Sequence, residues 1–338
     1  MRNRLSIGVI GAGRIGRLHV ENIASHIKEA EVKIVADICL DNLDNLSDVY
    51  GISNITNDYK EVINTSEVEA VLICSCTDTH ADMIIEAARA GKHIFCEKPM
   101  ALNINKAREA LQAVKVSGVK LQIGFNRRFD HNHRSVRSAV LSGIIGEPHL
   151  ICISSKDPTP PPLEYCMVSG GLFMDMTIHD FDMARYLSGS EVVEVFAAGS
   201  VLVDKKIGEI GDIDTAVVTL KFESGALGVI SNSRKSDFGY DQRVEVFGSL
   251  GCVADYNDLP STTVISTAAG IYSDKPYSFF IERYDNSFVA EMKAFVEAII
   301  YDKEPEVSGD DGLKPILIAL AASKSYRINR PVKVCEIE

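Results

Sequence analysis

The spacing of apolar residues changes character part-way along the chain. Residues 5–10 (LSIGVI) form a short apolar run, and after a glycine cluster Leu18, Ile23 and Ile27 continue at helical spacing. Residues 31–36 predict a second strand, and strand-like runs recur at 69–75, 93–99 and 119–125. Helical stretches from about Thr79 to Ala90 and from about Asn105 to Val116 separate them. Apolar strands alternating with helices imply right-handed βαβ units and a parallel sheet covered on both faces.

Beyond about residue 126 the rhythm differs. A helix over about 131–142, a strand from 148 and a proline-rich loop from Asp157 to Pro162 precede a helix near 171–187. Strands with two-residue alternation follow within 192–257, and Glu223-Ser224-Gly225 reads as a hairpin turn between two of them. Hairpin-linked strands predict an antiparallel sheet. Two amphipathic helices, near 286–301 and 312–326, close the chain. The expected architecture is α/β: a doubly wound parallel sheet over residues 1–126, then an α+β domain over 127–338 with a large, mostly antiparallel open sheet. The last helix is expected to pack back on the first domain.

The length of 338 residues suits two domains, and 46% hydrophobic with 24% charged residues is the range of a folded globular chain. A net charge of −12 argues against nucleic acid and anionic membrane surfaces as partners. No apolar stretch approaches the ~18 residues needed to span a bilayer. The start, MRNRLSIGVIGAGRIG, runs into a glycine turn with no small-residue cleavage site, and reads as a strand rather than a signal peptide. The eight cysteines are scattered, mostly in apolar runs, which predicts buried, reduced thiols in a cytoplasmic protein. Cys74-Ser75-Cys76 lacks a usual zinc spacing, and no metal is expected.

Gly11-Ala12-Gly13-Arg14-Ile15-Gly16 follows a strand and opens a helix, the context in which such glycines bind a dinucleotide. Gly11 permits the tight turn, Gly13 lets a pyrophosphate approach, and Gly16 allows close packing of helix on sheet. The helix start offers free N–H groups and a positive dipole. Asp37 follows the second strand and suits the ribose hydroxyls. No arginine follows it to receive a 2′-phosphate, so NAD is expected over NADP.

Three features carry candidate catalysis. Glu97-Lys98-Pro99 ends a strand where open parallel sheets place their ligands. Asp175 and His179 would share one face of a helix, an arrangement that suits a general base. The same spacing serves a surface ion pair or two legs of a metal site. Asn126-Arg127-Arg128, Asp157 and Tyr240-Asp241-Gln242-Arg243 are polar clusters suited to a polyol or to structural roles. His131 and His133 are expected at a helix start, facing solvent, without a role.

GAGRIGRLH, Asp37, CTDTH at 76–80, EKP at 97–99 and GGLFMDMTIHD at 170–180 together resemble the Gfo/Idh/MocA oxidoreductases. GFNRRFD, KDPTPPP, DMTIHDFDMARY and GYDQRVEVFGS resemble more narrowly the inositol 2-dehydrogenases of that family. The resemblance covers essentially the whole chain. It implies an NAD-binding Rossmann domain, oxidation of a ring hydroxyl, and dimers or a homotetramer built sheet to sheet. It implies His179 as general base, Asp175 as its carboxylate partner, and Lys98 at the reacting hydroxyl. Cofactor contacts would come from Gly11, Ala12, Gly13, Arg14, Ile15, Asp37, Ser75, Thr77, His80, Glu97 and Lys98. Substrate contacts would come from Arg127, Asp157, Asp175, His179, Tyr240 and Tyr284. The competing readings are a dehydrogenase of another polyol (scyllo- or chiro-inositol, glucose or xylose) and a non-catalytic NAD-binding regulator. The presence of Lys98, Asp175 and His179 speaks against the regulator.

Overall fold

In a computed structural model describing residues 4–337, the chain forms two units. One comprises the chain up to Phe129 together with Asn286–Ile316, and the other comprises Asp130–Asp285 together with the chain from Leu317 onward.

The first unit alternates as its apolar pattern requires. Its elements are β1 (Leu5–Ile10), α1 (Arg14–His26), β2 (Ala30–Ala36), α2 (Leu46–Tyr50), β3 (Ile55–Thr56), α3 (Tyr59–Asn64), β4 (Ala70–Ile73), α4 (His80–Arg89), β5 (His93–Glu97), α5 (Ile104–Ser117) and β6 (Leu121–Gly124). The six strands lie in the order β3-β2-β1-β4-β5-β6 and every pairing is parallel. The order reverses at β1 and β4, the point where such sheets bind ligands beyond their strand ends. β1 is buried along its whole length, and with Val35, Leu72, Phe95 and α1 residues Val20 and Ile23 it forms the core. Met292, Phe295 and Val296, from the returning segment, complete that core. Ile123 N–H donates to Val307 C=O at 3.0 Å and Arg128 pairs with Asp311 at 2.9 Å, so the return is tied to the end of β6.

The second unit contains α6 (His131–Leu141), β7 (Pro148–Lys156), α7 (Leu163–Val168), α8 (Leu172–Asp175), α9 (Thr177–Ser188), β8 (Val192–Ser200), α10 (Lys205–Glu209), β9 (Thr215–Phe222), β10 (Leu227–Ser233), β11 (Asp241–Gly248) and β12 (Cys252–Asp255). A separate two-stranded hairpin follows, β13 (Val264–Thr267) with β14 (Gly270–Ser273). α11 (Phe280–Ile300) and α12 (Gly309–Ile328) contribute residues to both units, and β15 (Val332–Lys333) ends the sheet.

The seven strands run β12-β11-β7-β10-β9-β8-β15, antiparallel except for β7 with β10. Alternation sorts the faces: Ile151, Ile153, Val218, Leu220, Ile230, Val244 and Val246 are buried, whereas Val193, Val217, Leu227 and Phe247 are exposed.

Three sequence expectations are corrected. The helix near 171–187 is two helices, broken at Met176 (φ −96°, ψ −58°), because side chains on either side of the break are drawn to different partners on β10 and beyond. His133 does not face solvent: it is buried against Asp130, Asp255 and Tyr284, while His131 is exposed. The thiols are not mostly buried, since Cys39, Cys76, Cys252 and Cys335 are exposed and only Cys96 and Cys166 are fully enclosed.

Candidate functional site

In the first unit, the turn between β1 and α1 is shaped by crowding on one side and open space on the other. Gly11 has φ +92°, and a Cβ there would lie 2.6–2.7 Å from the Cys74 and Ser75 backbone. A Cβ on Gly16 would overlap the Gly11 carbonyl. At Gly13 a Cβ would meet, among the described residues, no atom within 4 Å beyond its own stretch of chain, so this glycine answers to something outside the fold. Gly13 also begins α1 with no side-chain cap and no acidic residue in the first turn, and Arg14 and Ile15 are its first helical residues. Uncapped N–H groups with a positive dipole beside open space fit a pyrophosphate.

Asp37 sits just past β2. Its Oδ2 accepts the Ala12 N–H at 2.6 Å and its Oδ1 accepts the Cys39 N–H at 2.8 Å. The carboxylate is thereby locked to the glycine turn, with further lone pairs for ribose hydroxyls.

Ser75, Thr77 and His80 follow β4. Ser75 Oγ and Thr79 Oγ1 are 2.7 Å apart. His80 is buried, with Nδ1 2.8 Å from the Pro99 carbonyl and Nε2 3.0 Å from the Ser75 carbonyl. Burial pulls its pKa below the usual histidine value, against the pull of those carbonyls. His80 thus ties the segment after β4 to the segment after β5, which carries Lys98 and the cis Lys98–Pro99 peptide.

Glu97 ends β5 and accepts a hydrogen bond from His19 Nε2 at 2.9 Å, where the histidine side chain is completely buried. A Cβ on Gly124 would lie 3.0 Å from Glu97 Oε2, so the neighbouring strand also confines the carboxylate. Glu291 of α11 is fully buried, both its carboxylate oxygens lack hydrogen-bond partners among the described residues, and burial followed by the Glu97 charge pushes its pKa well up. Arg127 is buried in a 3-10 turn directly after β6.

The second unit carries Asp157, Asp175, His179, Tyr240 and Tyr284. β10 turns from apolar to polar along its inward face, reading Ile230, Asn232 and then Arg234 just beyond the strand, all buried. Asn232 accepts from Thr177 Oγ1 at 2.8 Å and donates to Asp180 Oδ2 at 2.7 Å. These residues flank His179, so the first turn of α9 is pinned to the sheet through polar contacts on both sides of the histidine.

Arg234 Nη1 and Nη2 each lie 3.1 Å from Asp175 Oδ2, and Tyr165 OH donates to Asp175 Oδ1 at 2.8 Å. Burial, with the Asp175 charge, pushes the Tyr165 hydroxyl far above its usual range and keeps it a donor. Asp157 N–H bonds Ser233 C=O at 2.9 Å, placing Asp157 beside the same strand end. Tyr240 and Tyr284 are buried and meet edge to face at 6.1 Å. Tyr284 occupies the non-helical position (φ −115°, ψ 18°) within α11.

Other polar residues of the sequence clusters serve the sheet. Asp241 receives Lys156, Arg243 and Asn257 at 2.7 Å each, and although burial opposes it, these donors bring its pKa down to about 2. Asp130, His133 and Asp255 present potential metal ligands within 4.8 Å of one another. The positive charge among them is the Arg283 guanidinium, 2.6 Å from Asp130, which makes the cluster an ion-pair network. Arg234, Tyr165, Asn232 and Glu291 were not singled out by sequence, since none belongs to a recognisable motif, and His19 closes the GAGRIGRLH stretch without a role having been read for it. The only cue was the loss of apolar character along β10.

Comparison with known proteins agrees with this geometry. Residues 5–125 match the oxidoreductase family model with an NAD-binding Rossmann fold, and residues 133–254 match the GFO/IDH/MocA C-terminal domain. The chain is 48% identical to a myo-inositol 2-dehydrogenase of Thermotoga maritima, over 98% of this chain and 99% of that protein. A crystal structure of a probable dehydrogenase from Thermotoga maritima superposes with TM-score 0.97 at 48% identity, covering 99% of this chain and 100% of the other. A scyllo-inositol dehydrogenase of Lactobacillus casei, with bound NAD(H) and scyllo-inositol, superposes with TM-score 0.91 at 29% identity, covering 98% and 100%. The two domain matches and the full-length likeness agree with the glycine turn, Asp37 and the pinned Asp175–His179 segment: the chain belongs to the Gfo/Idh/MocA family of oxidoreductases.

Proposed function

We propose that this chain oxidises a ring hydroxyl of an inositol, myo-inositol at its 2-position, using NAD, with His179 as the general base. The observation that carries it is the full-length likeness to enzymes of inositol oxidation. The second unit adds support by holding a carboxylate and a histidine in place on a polar strand end.

Bound NAD supplies the hydride acceptor. Gly11, Gly13 and the start of α1 hold its pyrophosphate, with Ala12, Arg14 and Ile15 in the same turn. Asp37 takes the ribose hydroxyls. Ser75, Thr77, His80 and Glu97 shape the segments after β4 and β5. His179 takes the hydroxyl proton as the ring C–H breaks. Lys98 stabilises the developing negative charge on oxygen, usually a large contribution at low dielectric. Asp175 accepts a hydrogen bond and sets the histidine's orientation and basicity. Arg127, Asp157, Tyr240 and Tyr284 are assigned to the polyol.

The test is NADH formation at mildly alkaline pH across myo-, scyllo- and chiro-inositol, glucose and xylose, each with NAD and NADP. Turnover of myo-inositol with NAD is expected, and silence on every inositol would overturn the proposal. His179→Ala should lower kcat by roughly 10²–10⁴-fold, and near-normal turnover would remove His179 as the base.

We also assign self-association to the outer face of the second sheet, where Val193, Val217, Leu227 and Phe247 are exposed. Light scattering should give a dimer or tetramer, and a monomer at micromolar concentration would refute it. The same proposal locates the enzyme in the cytoplasm, where exposed thiols such as Cys39 and Cys252 stay reduced.

A further inference from the structure

We infer that Arg234 is a positioning residue of the reaction: it holds the Asp175 carboxylate as an oriented hydrogen-bond acceptor, with Tyr165 as a second tether. This rests on the proposed roles of Asp175 and His179.

A helix of four residues cannot fix the direction of its last side chain, and Asp175 is the last residue of α8, directly before the break at Met176. Its orientation is supplied from outside. Both terminal guanidinium nitrogens of Arg234 converge on Oδ2, and the Tyr165 hydroxyl takes Oδ1. With two donors on Oδ2 and one on Oδ1, the direction of the carboxylate is set from outside its own helix.

Arg234 also reaches the other end of α8. Asp212 Oδ1 accepts the N–H of Leu172, the first residue of the helix, and Asp212 Oδ2 lies 4.0 Å from Arg234 Nη2. The guanidinium charge thus lies beside a carboxylate at each end of the segment that carries Asp175. Its own base is firm, because the Arg234 backbone N–H donates to Asp214 C=O at 2.8 Å.

The burial pattern gives the pair a direction. The Arg234 side chain is 1% exposed and that of Asp175 is 11% exposed, so the cation sits behind and the carboxylate faces outward. A buried ion pair is weak evidence for stability, since apolar residues of the same size often do as well. An outward carboxylate backed by a buried, permanently charged guanidinium is instead what an acceptor for a hydroxyl or imidazole N–H requires. The charged and titratable groups around the pair are Tyr165 and Cys166 of α7, Asp157 after β7, and Asp212 after α10. His179 follows four residues after Asp175, on α9. Arg234 carries a positive charge among these neighbours, against Asp175, Asp157 and Asp212.

Removing that cation takes a positive charge from beside Asp175. A more negative surrounding favours the protonated imidazole, so the pKa of His179 rises and the acid limb of the pH–rate profile moves to higher pH.

The test compares Arg234→Gln, Arg234→Lys and Tyr165→Phe with the parent enzyme. Arg234→Gln should lower kcat/KM for the inositol by roughly 10²-fold, the scale of a misplaced catalytic group, and move the acid limb up by about one pH unit. Arg234→Lys should return the limb to its place and recover part of the rate. Tyr165→Phe, which preserves both charges, should lower the rate without moving the limb. NAD affinity, measured by fluorescence titration, should be unchanged in all three.

NMR titration of the His179 ring without substrate, assigned by the signal lost in His179→Ala, should show the same upward shift in Arg234→Gln. An unchanged His179 titration in Arg234→Gln overturns the inference. So does an equal loss of rate in the Gln and Lys variants with an unmoved limb, which marks a structural brace. If the parent enzyme turns over no inositol while the His179 shift is observed, the proposed substrate falls and the positioning role stands.

Discussion

Asp255→Asn should make the protein more stable than the parent, by a margin that widens from pH 5.5 to alkaline pH. The cause is a charge imbalance inside the second unit. Arg283 is committed to Asp130, with Nη1 2.6 Å from Oδ2 and Nη2 3.3 Å from Oδ1. Asp255 is left 3.7 Å from Arg283 Nη2 and 3.5 Å from His133 Nε2, and among the described residues its buried Oδ2 has no hydrogen-bond partner. Burial pushes its pKa from 3.8 to about 7, helped by Asp130 and Asp258 and opposed by Arg283. Between those values the folded chain holds a proton that the unfolded chain has released, so stability falls as pH rises towards 7 and then levels off. From pH 5.5 to 7, one and a half pH units at about 1.36 kcal/mol each come to about 2 kcal/mol. Halving this for solvent around a carboxylate that is not fully enclosed leaves about 1 kcal/mol. For a unit of this size that is roughly 2–4 °C in Tm. The assay is thermal unfolding of parent and variant at pH 5.5 and pH 8, where the titrations of groups remote from Asp255 cancel in the difference. A gap between the two proteins that is the same at both pH values refutes the reasoning.

Three further outcomes are expected. Gly13→Ala should raise the Kd for NAD by at least about tenfold, because the Cβ occupies the pyrophosphate approach. Its Tm without cofactor should not fall, since among the described residues no atom beyond its own stretch of chain lies within 4 Å of that Cβ, and a fall in Tm would show that the glycine serves the fold. Asp37→Ala should weaken NAD and improve NADP in relative kcat/KM by more than about tenfold, as like-charge juxtaposition costs several kcal/mol; an unchanged ratio would remove Asp37 from cofactor choice. Glu291→Gln should stabilise the chain increasingly as pH rises above the ordinary glutamate value of 4.5, because the folded carboxyl is held protonated by burial and by Glu97; a pH-independent effect in denaturant melts would contradict this.

The first unit was legible because its signals are local. β1, the glycine turn and α1 are contiguous, and Asp37 stands at a spacing set by one βαβ step. A parallel sheet buried on both faces writes its strands as apolar runs that need no knowledge of distant partners. The second unit was legible in its strands, whose two-residue alternation reports one buried and one exposed face, but not in the helices laid on them. The helix across Asp175 and His179 reads as continuous, since Met176 is an ordinary helix former. The break comes from Asn232 and Arg234, more than 50 residues away in sequence, which draw Thr177, Asp180 and Asp175 to separate points. His133 was misplaced for the same reason, since its burial depends on Asp255 and Tyr284 arriving from β12 and α11. A motif names the groups that perform the chemistry, whereas the groups that aim them are chosen by whichever strand end folds underneath. Where a strand's inward face changes from apolar to polar, as at Ile230, Asn232 and Arg234, the buried polar side chains require partners. In this chain those partners are the residues around the proposed base.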